Sequence, residues 1–177
     1  LSKKGNPRTV PVEVYGSPIL STWLDRPLEI AGTVAVKGEQ GVELHPVRSG
    51  APVAVIPNLA IHLNKKVNEG FAYEKHTHLR PILDEEFVGE DLVASVAFAA
   101  GLEGRRLVEA ELYLVPAEGA TPWGTGKRGF FTASRIDNLA GVYANLQGLL
   151  DADTAPATQM CFIFDNEEIG SLTRSGA

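Results

Sequence analysis

The 177 residues predict an α/β protein in two parts, a β-rich stretch followed by one piece of a helix-and-strand layer. Three observations carry that prediction. Turn-forming residues recur about every 8–12 residues in the first third, the rhythm of an antiparallel β-unit. Five glycines or prolines (Gly119, Pro122, Gly124, Gly126 and Gly129) fall between Ala117 and Gly129 and break the composition there. Beyond the break, a helical pattern leads to the continuous apolar run Met160–Phe164, which suits a strand covered on both faces.

In chain order, residues 1–9 are polar and basic and read as an arm. Val12, Val14 and Tyr15 are strand-like, and the turn Gly16-Ser17-Pro18 leads to a second strand over Ile19–Leu24. After Asp25-Arg26-Pro27, the stretches Leu28–Ala31 and Thr33–Val36 are strands divided by Gly32. Val42–His45 and Val53–Ile56 add two more. Asn58 is placed to cap a short helix starting at Leu59, and a polar loop runs from Asn64 to Leu79. Glu90–Gly101 is a helix stopped by Gly101, with Val93 and Val96 toward the core. Arg105–Val115 alternates as a strand. Ala117–Gly129 is a linker, including the glycine-rich Gly124-Thr125-Gly126-Lys127, whose spacing does not fit a phosphate loop. Leu139, Val142, Tyr143, Leu146, Leu149 and Leu150 then recur at helical spacing. One buried strand is not stable with so little around it, so the C-terminal third reads as a piece of a larger domain.

Hydrophobic residues at 44% and charged residues at 21% exclude disordered, collagen-like and disulfide-scaffold classes. The lone cysteine, Cys161, excludes an intrachain disulfide and a Cys-rich zinc site. A net charge of -6 argues against a nucleic-acid partner. No apolar run approaches the roughly 20 residues that span a bilayer, and no signal-peptide pattern is visible. The expectation is a soluble, cytoplasmic protein without a membrane partner.

The strongest local signal for chemistry is Phe164-Asp165-Asn166-Glu167-Glu168-Ile169-Gly170-Ser171, three acids directly after the most apolar run. Ligands in α/β sheets bind at the carboxyl ends of strands. In an extended chain Glu167 and Glu168 point to opposite faces, so one could ligate a metal while the other serves as general base. The competing reading is a solvated acidic loop. Asp137, in Arg135-Ile136-Asp137-Asn138-Leu139, stands where a strand-like stretch hands over to a helix. It reads either as a helix N-cap or as a carboxylate bridging two divalent cations. His76 and His78 would share one face if extended and could chelate, or they are solvated. His62, between Ile61 and Leu63, reads by itself as a half-buried core histidine.

Taken together, five ordered blocks resemble the M18 aspartyl aminopeptidase family of metallo-aminopeptidases. They are Val12-Glu13-Val14-Tyr15-Gly16, Ile19 to Arg26, Ile56 to Leu63, Arg135 to Leu139, and Asp165 to Ser171. The Ser-Thr-Trp-Leu-Asp-Arg and Pro-Asn-Leu-Ala-Ile-His stretches are the specific ones; Asp-Asn-Glu-Glu alone is shared with related aminopeptidases.

The resemblance implies an α/β catalytic domain with an inserted β-rich lid or dimerisation domain. Residues 10–123 match the lid and 124–177 one part of a zinc-peptidase catalytic domain. It implies two divalent cations, zinc by preference, with Asp137 as the bridging ligand, Glu168 as a terminal ligand and Glu167 as the general base. It implies that His62 reaches a neighbouring subunit's site in a homo-oligomer, and so is exposed or at a chain contact. It implies a peptide substrate with an acidic N-terminal residue, and a cis bond after Asp137. The family's His-Thr-Asp motif and its downstream Asp and His ligands are not within these residues. The chain therefore reads as a fragment that is inactive alone and holds two metals only weakly. The alternatives are a non-catalytic lid module that drives oligomerisation, and a metal-free hydrolase using a carboxylate pair.

Overall fold

The computed structural model describes residues 7–88, 91–125, 129–170 and 172. Its elements are β1 (Leu28–Lys37), β2 (Val42–Arg48), β3 (Ala54–Val55), α1 (Lys75–His78), β4 (Ile82–Leu83), α2 (Glu85–Val88), α3 (Leu92–Ala99), β5 (Leu107–Pro116), β6 (Thr121–Trp123), β7 (Phe130–Thr132) and α4 (Ile136–Leu150). They form two compact units. One comprises Leu1–Val14 with Pro18–Ala117, the other Tyr15–Ser17 with Glu118–Ala177.

The first unit is built on β1. This strand pairs antiparallel with β2 along one edge and with β5 along the other, and its first residue, Leu28, pairs with Ala54 of β3. Alternation puts Leu28, Ile30, Val34 and Val36 on one face, where all four are buried. Val47, Val53, Ile56, Leu79, Leu83 and, from α3, Val96 and Ala97 complete that core. Where β2 ends, Ser49 takes over its role. Its hydroxyl accepts the Ile30 amide at 3.1 Å and donates to the Ala51 carbonyl at 2.9 Å, so a buried strand amide is not left unpaired. On the other face of β1 the buried Glu29 carboxylate is held by Arg48, whose Nη2 donates to Oε1 at 2.9 Å and whose Nε donates to Oε2. The carboxylate in turn pushes the guanidinium above its ordinary pKa. At the far end Arg105 first, and then His45, hold the Glu43 carboxyl below the usual range.

Several elements differ from the sequence expectation. Gly32 does not divide two strands; β1 runs straight through it. Residues 10–20 alternate in burial like a strand, yet among the described residues they join no ladder; the nearest bridge, just before them, pairs Thr9 with Ile82. Leu20–Trp23 is a 3-10 turn, not a strand. Its Thr22 hydroxyl and amide both donate to the Ile19 carbonyl, at 2.7 and 3.1 Å, a local bonding pattern that competes with a ladder. No helix follows Asn58, whose amide donates to Asp25 Oδ1 at 2.7 Å. Helix α3 occurs as expected, capped by Asp91, which accepts from the Val93 and Ala94 amides, and followed by Gly101 at φ +74°. Val96 is buried and Val93 half-buried against the core, while Phe98 is exposed. Glu90, the expected first residue, lies outside the described residues, as do Gly126 and Lys127 of the glycine-rich stretch and residues 1–6 of the arm.

The second unit contains α4 and the hairpin β6–β7, in which Trp123 stacks on Phe130 with ring centroids 4.6 Å apart. Part of the expected linker is thus a strand. Met160–Phe164 is not a strand among the described residues. Met160, Phe162, Ile163 and Phe164 are exposed, with no ladder partner on either side. An apolar run becomes a buried strand only where neighbouring strands receive it.

Candidate functional site

The acidic block forms a tight turn. Asn166 adopts the left-handed conformation (φ +57°), which Asn tolerates better than most residues, and its amide donates to Asp165 Oδ1 at 2.9 Å. Glu167–Ile169 then makes a single 3-10 turn, closed by the Ile169 amide on the Asn166 carbonyl at 3.1 Å and the Gly170 amide on the Glu167 carbonyl at 2.9 Å. Gly170, at φ +85°, ends it. Glu167 and Glu168 therefore do not alternate across an extended strand. With about three residues per turn they fan out by roughly 120° from one short turn. Both are exposed.

Two residues of the same unit touch this turn without having been singled out for a role. The Glu168 amide donates to the Tyr15 hydroxyl at 3.2 Å. Gly16, at φ +71°, lies against the Glu168 side chain, whose Cγ would be 3.0 Å from any Cβ added there. The contact spans 153 residues of sequence, so no local pattern could reveal it.

Asp137 sits at the start of α4 in non-helical geometry (φ -80°, ψ 116°), after Arg135 at φ +64°. The Asp137–Asn138 bond is cis. The N-cap position of α4 is taken by Arg135, which makes no side-chain cap bond, and among the described residues no hydrogen bond joins the Asp137 carboxylate to the first amides of the helix. Asp137 is exposed, and no described hydrogen bond joins it to Glu167 or Glu168.

His62 is exposed on the turn at residues 61–63, which the Leu63 and Asn64 amides close on the Ala60 carbonyl. It does not fill the core. The foot of that loop is fastened to the Asp25 block twice, by the Asn58 amide on Asp25 Oδ1 and by the Asp25 amide on the Ile56 carbonyl at 2.9 Å. A cavity of about 170 Å³ beside this segment is lined by Pro57, Asn58, Phe71, Tyr73 and His78 among others, and not by His62. His76 and His78 fall on one helical turn, where residues two apart do not share a face. His78 Nδ1 instead accepts the Glu74 amide at 2.8 Å, and its ring packs on Phe71.

Carboxylates are donors that zinc accepts, so Asp137 and Glu168 fit a metal in kind. In number they do not close a site. Among the described residues no three His, Cys, Asp or Glu side chains come together. No described helix is long and apolar enough to cross a membrane.

Comparison with known proteins agrees with the motifs. Residues 2–177 match the family described as aminopeptidase I zinc metalloprotease (M18). A probable M18 family aminopeptidase 2 of Clostridium novyi is 37% identical over 171 residues, covering 93% of this chain and 39% of that protein. The structure of mApe1 from Chaetomium thermophilum superposes with a TM-score of 0.77 at 28% identity, covering 100% of this chain and 44% of the other. That of the S. cerevisiae mApe1 dodecamer gives 0.71 at 26% identity, covering 99% and 41%. The chain thus spans about two-fifths of the length of the relatives it matches.

Proposed function

This chain belongs to the M18 family of zinc metalloproteases, and we propose on that premise that its full-length parent is a di-metal aminopeptidase removing acidic N-terminal residues from peptides. The observation that carries this reading is the pairing of two neighbouring carboxylates, Glu167 and Glu168, on one short exposed turn of a chain matched throughout by that family. In this reading residues 124–177 are part of the catalytic domain, joined by Tyr15–Ser17 and residues 118–123 of the same compact unit, and the remainder of residues 10–123 is the lid through which subunits assemble. A homo-oligomer is supported by the dodecameric yeast relative. A reduced, cytoplasmic setting suits the free thiol of Cys161.

Asp137 and Glu168 would hold the cations, zinc by preference, Asp137 as the ligand shared between the two and Glu168 as a ligand to one. The metals, when bound, supply Lewis acidity at the scissile carbonyl and acidify a water. Glu167 accepts the proton of the attacking water and passes it to the departing amine. It stands on the same short turn as Glu168, so a base there would be neighbour to a ligand. His62 completes the substrate site of a neighbouring subunit.

Chelation of the full-length parent should take hydrolysis of an aspartyl peptide to background, and zinc should restore it. Full activity after chelation would favour a metal-free carboxylate pair instead. A preference for leucyl over aspartyl peptides would remove the acidic specificity while leaving the chemistry. For the segment alone a second reading stands: its first unit has its own core, as an assembly module requires.

His62→Phe in the parent should lower kcat/KM by about tenfold, roughly 1.4 kcal/mol of transition-state binding. The melting temperature should hardly move, because an exposed turn residue contributes little to stability. A large fall in melting temperature with normal kinetics would overturn the trans-acting role.

A further inference from the structure

The proposed metal ligand Glu168 is held at two points by a segment 153 residues away, and the proposed base beside it is not. The first amides of a helical turn have no acceptor within it. At Glu168 the Tyr15 hydroxyl supplies one, at 3.2 Å, and ties the backbone down. Gly16 acts on the side chain. A Cβ there would meet Glu168 Cγ at 3.0 Å, Cδ at 3.1 Å and Cβ at 3.2 Å, so the glutamate lies along bare backbone. Gly16 is at φ +71°, a conformation that side-chain-bearing residues rarely adopt, so glycine is required twice over. Among the described residues no hydrogen bond fixes the Glu167 side chain. A ligand gains from being ordered before the metal arrives.

We propose that Tyr15 and Gly16 are positioning residues, which fix the backbone and the side chain of Glu168 for metal binding. This rests on the reading of Glu168 as a ligand. It gives a role to the Tyr-Gly pair that no local feature of its own sequence suggests.

The test uses the full-length parent with Tyr15→Phe, Gly16→Ala and, as reference, Glu168→Gln. Zinc affinity is measured by competition with a chromophoric chelator, and ligand geometry by the visible absorption of the cobalt-substituted protein. Tyr15→Phe and Gly16→Ala should each weaken zinc binding about 10–100-fold and alter the cobalt spectrum. KM for peptide should be little changed, and excess zinc should recover turnover. A residue that merely supported the fold would shift the melting temperature of the metal-free protein without this rescue. If Gly16→Ala does not fold, Tyr15→Phe decides alone. Wild-type affinity and spectrum in Tyr15→Phe, beside metal loss in Glu168→Gln, would overturn the positioning role and leave the ligand assignment standing. Unchanged zinc affinity in Glu168→Gln would overturn the ligand assignment and the inference with it.

Discussion

Glu167→Gln in the full-length parent should lower kcat by about 10²–10⁴-fold while bound zinc and melting temperature stay at wild-type values. The amide has the shape of the carboxylate but cannot take a proton from the attacking water. The loss is therefore that of a general base and nothing else. The fold should not register the change. Glu167 is exposed, its backbone bonds on the turn do not involve the side chain, and surface substitutions of this kind usually stay within about 0.5 kcal/mol. Glu168→Gln, one residue on, should fail differently, by losing metal. Turnover and zinc content measured on both variants separate the two roles. Near-normal kcat in zinc-loaded Glu167→Gln would move the base to another residue. Metal loss in that variant would make Glu167 a ligand.

How much of this was legible in the sequence depends on whether a feature is decided locally. β5 alternates enough to be read without partners, β1 reads as a strand on either side of Gly32, β2 reads over its first four residues, and α3 carries its own cap at Asp91 and stop at Gly101. The positions of Glu167 and Glu168 were legible as a motif, but their relative direction was not. It turns on Asn166 entering a left-handed conformation, which converts an expected extended segment into a 3-10 turn. Residues 10–20 show the converse case. Their alternation is real and appears in the burial of Val10 and Val14 against the core, but pairing requires a neighbouring edge that alternation cannot specify. Met160–Phe164 was read from its apolarity alone, and apolarity says what a strand needs, not what surrounds it. His76 and His78 were spaced for an extended chain, and one helical turn is enough to separate them. The contact of Tyr15 and Gly16 with Glu168 lay beyond any local signal.

Gly32 is the position where the sequence misled most, and it yields the largest expected effect on stability. A glycine inside an apolar run reads as a turn. Here it lets two backbones approach in mid-sheet. A Cβ on Gly32 would lie 2.0 Å from the Glu111 carbonyl oxygen and 2.9 Å from Leu112 Cα, both backbone atoms of β5. A flexible side chain could swing away from such a contact, but a strand cannot. β5 is locked to β1 from Leu28–Pro116 to Val36–Leu107, and β2 holds the opposite edge of β1. Relief would require opening the central ladder or displacing the core face on which Ile30 and Val34 flank Gly32. Gly32→Ala should therefore cost about 4–5 kcal/mol, in the exceptional range for a single substitution, and Gly32→Val more. That is close to the whole stability of a marginal domain, about 5 kcal/mol, so Gly32→Val should fail to give soluble folded protein. Gly119→Ala is the control. Nothing lies within 4 Å of a Cβ at Gly119, and it should be neutral or stabilising by up to about 1 kcal/mol. Thermal unfolding and hydrogen exchange of β1 and β5 amides would read the difference. If Gly32→Ala melted within about 2 °C of the parent with the ladder still protected, β5 would have room to yield, and the close approach would not be what glycine is there to permit.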